Sequence, residues 1–154
     1  MNPFNILLVD DEKEFIEIMA LRLRKRGFTV YCAYSGVEAL DQLALNEAID
    51  VVVLDVKMPD LDGIQTIKAL KKKHPLVEVI MLTGHATVPS AIEALKYGAF
   101  DYLTKPCDVH TLIAKGEQAA ARKEEREAQI LNVRMIPYIS ERERKRLISG
   151  ILEN

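Results

Sequence analysis

Four apolar runs in this chain end on residues that can do chemistry. Ile6 to Val9 runs into Asp10-Asp11, and Val51 to Leu54 runs into Asp55. Val79 to Leu82 runs into Thr83, and Tyr102-Leu103 leads to Thr104-Lys105. If these runs are parallel strands, their carboxyl ends meet at the edge where open α/β sheets bind ligands. Carboxylates packed together repel and raise one another's pKa. A divalent cation resolves that repulsion. Hard oxygen ligands, with room left for water and phosphate, suit Mg²⁺, and Mn²⁺ can substitute. An anion completing the metal's shell would also meet Lys105 and the Thr83 hydroxyl. An oxygen nucleophile, a metal and two groups for phosphate oxygens are the parts of phosphoryl transfer, which depends on positioning and charge neutralisation.

Three acids compete for the central role in the stretch VVVLDVKMPDLDG. Asp55 ends the central strand and faces the other strand ends, so it is the expected nucleophile. Asp62, with Gln65 three residues on, reads as a helix cap worth about 1 kcal/mol. Asp60, beside Pro59, reads as a turn residue.

The surrounding pattern supplies the scaffold. Ile16, Met19, Ala20 and Leu23 recur at helical spacing, and Gly27 stops that helix. Thr29 to Ala33 is a second strand, less apolar than the others and suited to a sheet edge. Ser35 and Glu38 form a capping box for a second helix, with Val37, Leu40, Leu43 and Ala44 expected inward. Ile64, Ile67 and Leu70 mark a third helix. A fourth is marked by Val88, Ala91, Ile92 and Leu95 and ends at Gly98. Val109, Leu112, Ile113, Gly116 and Ala120 mark a fifth. Strands that read as continuous apolar runs and alternate with helices predict a parallel sheet covered on both faces. The expectation is a doubly wound α/β domain over residues 1–122.

Composition narrows the function classes. A formal net charge of -2 argues against a generic nucleic-acid or membrane-surface binder. No apolar run approaches the ~20 residues that span a bilayer. The amino terminus shows no secretory signal. Cys32 and Cys107 lack metal or redox spacing and read as small half-buried side chains in a reducing compartment, so a cytoplasmic location is expected.

The combination of VDDE at 9–12, DVKMP at 55–59, LTGHA at 82–86 and YLTKP at 102–106 resembles the receiver domains of two-component response regulators. The resemblance covers residues 4–122. It implies a flavodoxin-like sheet of order 2-1-3-4-5. It implies that Asp55 takes a phosphoryl group from a phosphohistidine on a sensor histidine kinase or phosphotransfer protein. Asp11, Asp55 and the backbone carbonyl of Lys57 would bind Mg²⁺ directly, and Asp10 would act through water. Thr83 and Lys105 would hold the phosphate, and Tyr102 stands where the family has its switch aromatic. Lys105-Pro106 stands where the family has a cis peptide. Lys57 and His85 occupy positions that tune the phosphoryl lifetime. His74 and His110 read as surface residues.

Residues 123–154 go beyond a minimal receiver and form an expected helical extension. RKEEREAQ favours continuation of the fifth helix until Pro137 breaks it. Ser140 and Glu143 suggest a capping box for a last helix with an apolar stripe of Leu147, Ile148, Ile151 and Leu152. So short a helix is marginal alone, so it should pack on its own receiver, on a second copy or on a target. The RERKR run at 142–146 reads as a solvated, charge-mixed face.

These features predict a phosphoacceptor signalling protein rather than an enzyme with a separate substrate. It would signal through protein contacts on the face of the fourth helix, fifth strand and fifth helix. One rival is the receiver part of a larger σ54-activator-like DNA-binding regulator, suggested by TGHA and Pro89. An aspartyl-phosphate phosphatase wants a second Asp where Lys57 stands. A flavin binder would want an aromatic-rich phosphate loop.

Overall fold

The structure, a computed structural model, describes residues 3–56, 61–84 and 88–153. Strands β1 (Asn5–Val9), β2 (Thr29–Ala33), β3 (Val51–Leu54), β4 (Glu78–Thr83) and β5 (Asp101–Thr104) form one sheet in the order β2-β1-β3-β4-β5. Every pairing is parallel. Helices α1 (Lys13–Lys25), α2 (Gly36–Leu45), α3 (Gly63–Lys73), α4 (Val88–Lys96) and α5 (Val109–Arg134) follow the strands in turn. The expected doubly wound, flavodoxin-like sheet is therefore present, with the mixed second strand at one edge.

Alternate residues of each central strand point to opposite faces, and both faces are covered. Leu8, Val53, Ile80 and Leu82 pack with Ile16, Met19, Leu23 and Leu112 on one side. Leu7, Val9, Val52, Leu54 and Met81 pack with Leu43, Ile67 and Leu70 on the other. Two buried faces explain why these strands read as unbroken apolar runs.

Two helices sit differently from their sequence pattern. In α2 the buried residues are Gly36, Ala39 and Leu43, whereas Val37 and Ala44, expected inward, are exposed and Leu40 is half-buried. Gly36 lies against Leu61 and Thr66 at the start of α3, so the small residues of α2 turn toward that close neighbour. In α4 Ala94 is buried, while Ile92 and Leu95 are 61% and 47% exposed. Each helix carries apolar residues on more than one side, Ala39 and Leu43 as well as Val37, Leu40 and Ala44 in α2, and Ala94 as well as Ile92 and Leu95 in α4, and such a pattern does not say which side faces the sheet.

A last helix, α6 (Glu141–Glu153), returns along α5. α5 is one unbroken helix of 26 residues that passes through the boundary expected at 122. It stops at Met135, just before Pro137, and Tyr138 takes the left-handed conformation in the turn. Of the three expected resting places for the tail, the structure places α6 on its own chain, with Leu147, Ile148, Ile151 and Leu152 half-buried. Ser140 accepts from the Glu143 amide, as expected for its cap. Arg144, expected in solvent, instead donates to the carbonyls of Val133 (2.7 Å) and Arg134 (3.1 Å) in the last turn of α5.

At the start of α3 the expected cap is complete. Asp62 Oδ1 accepts from the Gln65 amide at 2.8 Å, and Gln65 Oε1 accepts from the Asp62 amide at 3.2 Å. Gly63 then passes against the end of β3, where a Cβ would stand 2.4 Å from the Asp55 carbonyl oxygen and 2.7 Å from Val56 Cα. Backbone atoms cannot step aside as a side chain can. Gly63→Ala should therefore cost about 1–3 kcal/mol in urea unfolding, as overpacking does. Unchanged stability would show that the β3–α3 junction relaxes freely.

Candidate functional site

The sheet ladder carries the acids to one place. The Asp55 amide donates to the Val9 carbonyl at 3.1 Å, so the β1–β3 pairing extends one residue past the strands and sets Asp55 beside Asp10. Asp10 and Asp55 are buried and Asp11 is exposed. One carboxylate oxygen from each of the three lies within 4.8 Å of the others. Two buried acids and one facing water make a set of hard oxygen donors with an open side. That is the arrangement the sequence predicts for a divalent cation.

Lys105 reaches this group from the far edge of the sheet. Its backbone amide donates to the Thr83 carbonyl at 3.0 Å, which continues the β4–β5 ladder. Its Nζ lies 2.5 Å from Asp10 Oδ2, 3.3 Å from Glu12 Oε1 and 3.7 Å from Asp55 Oδ2. The ammonium also sits 4.4 Å from the centroid of the Phe15 ring, which screens it from water on one side. The bond between Lys105 and Pro106 is cis, as the family resemblance implied.

The electrostatics follow from burial and charge. Burial pushes the Asp10 carboxyl above the ordinary aspartate value, and the hydrogen bond from Lys105 only partly offsets this. For Lys105, burial alone would lower the pKa. The hydrogen bond and charge of Asp10, and then the charge of Asp55, outweigh it and hold the ammonium above its usual range. One lysine thus faces more negative charge than it can neutralise.

Thr83 is wholly buried at the end of β4. Tyr102, one strand over and paired with Met81, is half-buried. Its hydroxyl is out of water with no hydrogen-bond partner among the described residues. The structure therefore assembles Asp10, Asp11, Asp55, Thr83 and Lys105, with Tyr102 beside them. Lys57, Asp60 and His85 lie outside the described residues. His110 is exposed and His74 half-buried, away from the acids. Glu12 and Phe15 were missed as partners of Lys105. Glu12 had a signal, since it is the third acid of VDDE, whereas Phe15 reads as an ordinary helix residue.

Comparison with known proteins gives the same picture. Residues 6–117 match the family model of the response regulator receiver domain. The transcriptional regulatory protein ZraR of Escherichia coli K12 is 42% identical over 117 residues, which is 76% of this chain and 26% of that protein. GlrR of the same organism is 39% identical over 110 residues, covering 71% of this chain and 24% of the relative. The chain thus spans about a quarter of the length of these curated relatives. A response regulator receiver domain protein from Clostridium thermocellum superposes with a TM-score of 0.74 at 38% identity, covering 79% of this chain and 97% of its own. The receiver domain of NtrX from Brucella abortus gives 0.70 at 32% identity, covering 75% and 98%. Sequence and shape converge on one assignment, and the chain belongs to the response regulator receiver domain family of two-component signal transduction.

Proposed function

We propose that Asp55 is the phosphoacceptor of this receiver and that Mg²⁺ is held by Asp10, Asp11 and Asp55, with the Lys57 carbonyl completing the set. The observation that carries this reading is the position of Asp55. It is 4% exposed at the end of the central strand, with the Lys105 ammonium 3.7 Å from its Oδ2. A carboxylate oxygen of Asp55 attacks the phosphorus of a phosphohistidine on a sensor histidine kinase or phosphotransfer protein. The new O–P bond forms as the P–N bond breaks, and the imidazole leaves. A bound cation would supply neutralisation of the charge shared by the acids and the incoming phosphoryl oxygens. Lys105 holds one phosphoryl oxygen, and Thr83 donates its hydroxyl to another.

The signal is a rearrangement of packing. As Thr83 turns toward the phosphoryl group it vacates space, and the Tyr102 ring moves into it. The face of α4, β5 and α5, where Ile92 and Leu95 already stand exposed, is the output surface. The protein would thus work as a phosphoacceptor that catalyses only its own phosphorylation and dephosphorylation, in the cytoplasm beside its kinase. Among the described residues no helix is long and apolar enough to cross a membrane. A second reading, that the receiver serves a transcriptional regulator, is favoured by the names of its curated relatives.

With a small phosphodonor and Mg²⁺, the wild-type chain should gain one phosphoryl group by intact mass, and Asp55→Asn none. Undiminished labelling of the variant removes Asp55 from the reaction. Mg²⁺ alone should raise the melting temperature, because a ligand that binds only the folded state stabilises it. Asp11→Ala should lose most of that rise, and an equal rise in both proteins places the metal elsewhere. In metal-free buffer Lys105→Met should cost about 2–4 kcal/mol, since it leaves buried carboxylates without their cation. Added Mg²⁺ should recover part of this loss. A variant as stable as wild type without metal would mean that the acids are compensated by another group.

A further inference from the structure

The amino-terminal end of the sheet carries a second concentration of charge, of the opposite sign. Glu78 begins β4 and is wholly buried. Arg126 Nη1 lies 3.1 Å from one of its oxygens, Lys71 Nζ 3.6 Å from the same oxygen, and Arg122 Nη1 3.7 Å from the other. Three cations share one carboxylate. They line a cavity of about 520 Å³ between the ends of α3 and α4 and the α5–α6 hairpin, together with Lys68 and Lys96. Among the described residues, the other carboxylate lining it is Glu153, at the end of α6. The carboxyl ends of α3, α4 and α6 each add only about half a negative charge. Among the described residues positive charge exceeds negative here, although Lys71 also donates to the Pro75 and Val77 carbonyls at 3.4 and 2.6 Å, and an anion arriving at the rim would meet the exposed Lys68 and Lys96. The Lys71 ammonium feels this. Burial lowers its pKa first, Glu78 opposes that, and the charges of Arg126 and Arg122 push it further down.

The same cavity has an apolar side. Tyr97, Leu95 and Pro75 line it, and the Lys68 and Lys96 ammonium groups stand 4.1 Å and 5.7 Å from the centroid of the Tyr97 ring. Its volume falls within the range of small-molecule sites, about 300–1,000 Å³. α6 is part of the wall, because Leu152 lines the cavity and Arg126 Nε and Nη2 each donate to the Ile151 carbonyl at 3.2 Å. We propose that this cavity binds a small molecule carrying a phosphate or pyrophosphate group, with Lys68, Lys96 and Arg122 taking the anion and Lys71 and Arg126 setting the field beneath it. It lies at the opposite end of β4 from Thr83, and it does not depend on any role for Asp55. It gives the tail a task, since docked α6 completes the site.

Inorganic pyrophosphate is a suitable probe, used with the full chain in metal-free buffer, where the acids at the other end of the sheet repel it. Calorimetry and melting curves should show binding and a rise in melting temperature beyond that in sodium chloride of equal ionic strength. Lys68 and Lys96 are exposed, so the double variant Lys68→Ala/Lys96→Ala should fold normally. It should bind about five- to twentyfold more weakly, the loss of two solvent-facing charge contacts. Asp55→Asn should bind as wild type does. No effect beyond the salt control overturns the proposal, and so does equal binding by the double variant. Binding of a glutamate-rich peptide but not of pyrophosphate also overturns it, and makes the cavity a docking patch for an acidic protein segment.

Discussion

Asp10 and Asp55 lie side by side and nearly out of water because β1 and β3 are hydrogen-bonded neighbours whose ladder runs one residue past both strands. Two buried like charges are unfavourable unless something positive reaches them. That requirement runs through the rest of the molecule. Lys105 must come from the far edge strand, so β5 has to continue the β4 ladder with its chain turning back toward β1. Phe15 has to leave α1 at an angle that lets its ring lie beside the ammonium. Gly63 has to lack a side chain so that α3 can start against the backbone of Asp55 itself. The site is therefore a property of the whole sheet edge, and the loops only finish it.

The opposite end of β4 shows the same physics inverted. Glu78 is a single buried carboxylate among cations, where Asp10 and Asp55 are buried carboxylates around a single cation. Between them the strand is apolar and fully packed, with Val79 to Leu82 all buried. A strand packed on both faces and held by ion pairs at Glu78 has little freedom to slide, so a change at Thr83 is met by side chains beside it. One of those neighbours is the half-buried Tyr102, whose hydroxyl has no hydrogen-bond partner among the described residues.

Much of this was legible in the sequence, for identifiable reasons. The five strands, their parallel sheet and the acids at their ends follow from apolar runs that stop on charged residues, a pattern that burial on both faces makes explicit. The caps at Ser35, Asp62 and Ser140 were readable because capping is a local event, but the reciprocal half of the expected box forms at Asp62, whereas Glu38 accepts from the Tyr34 amide and Glu143 pairs with Arg146. What stayed hidden depends on long-range geometry. Arg126 sits in RKEEREAQ and looks like any residue of a solvated helix, yet it is buried against a carboxylate 48 residues earlier in the chain. Glu78 looks like the polar start of a strand, and nothing local says that three cations converge on it. The orientation of α2 and α4 was hidden for a different reason, since residues apolar on several sides leave the choice to their neighbours.

The continuity of α5 has a mechanical consequence. A helix turns about 100° per residue, so its two ends share one rotational phase. The first half of α5 is fixed against the sheet by Val109, Leu112, Ile113 and Gly116, and the second half holds Arg126 toward Glu78. Adding or removing a single residue between them would swing Arg126 about a quarter-turn away and strand a buried carboxylate. The segment around 116–126 therefore behaves as a keyed shaft rather than a linker. Its length can change only in steps that restore the phase, and whatever is attached beyond it inherits a fixed angle to the edge of the sheet that carries the acids.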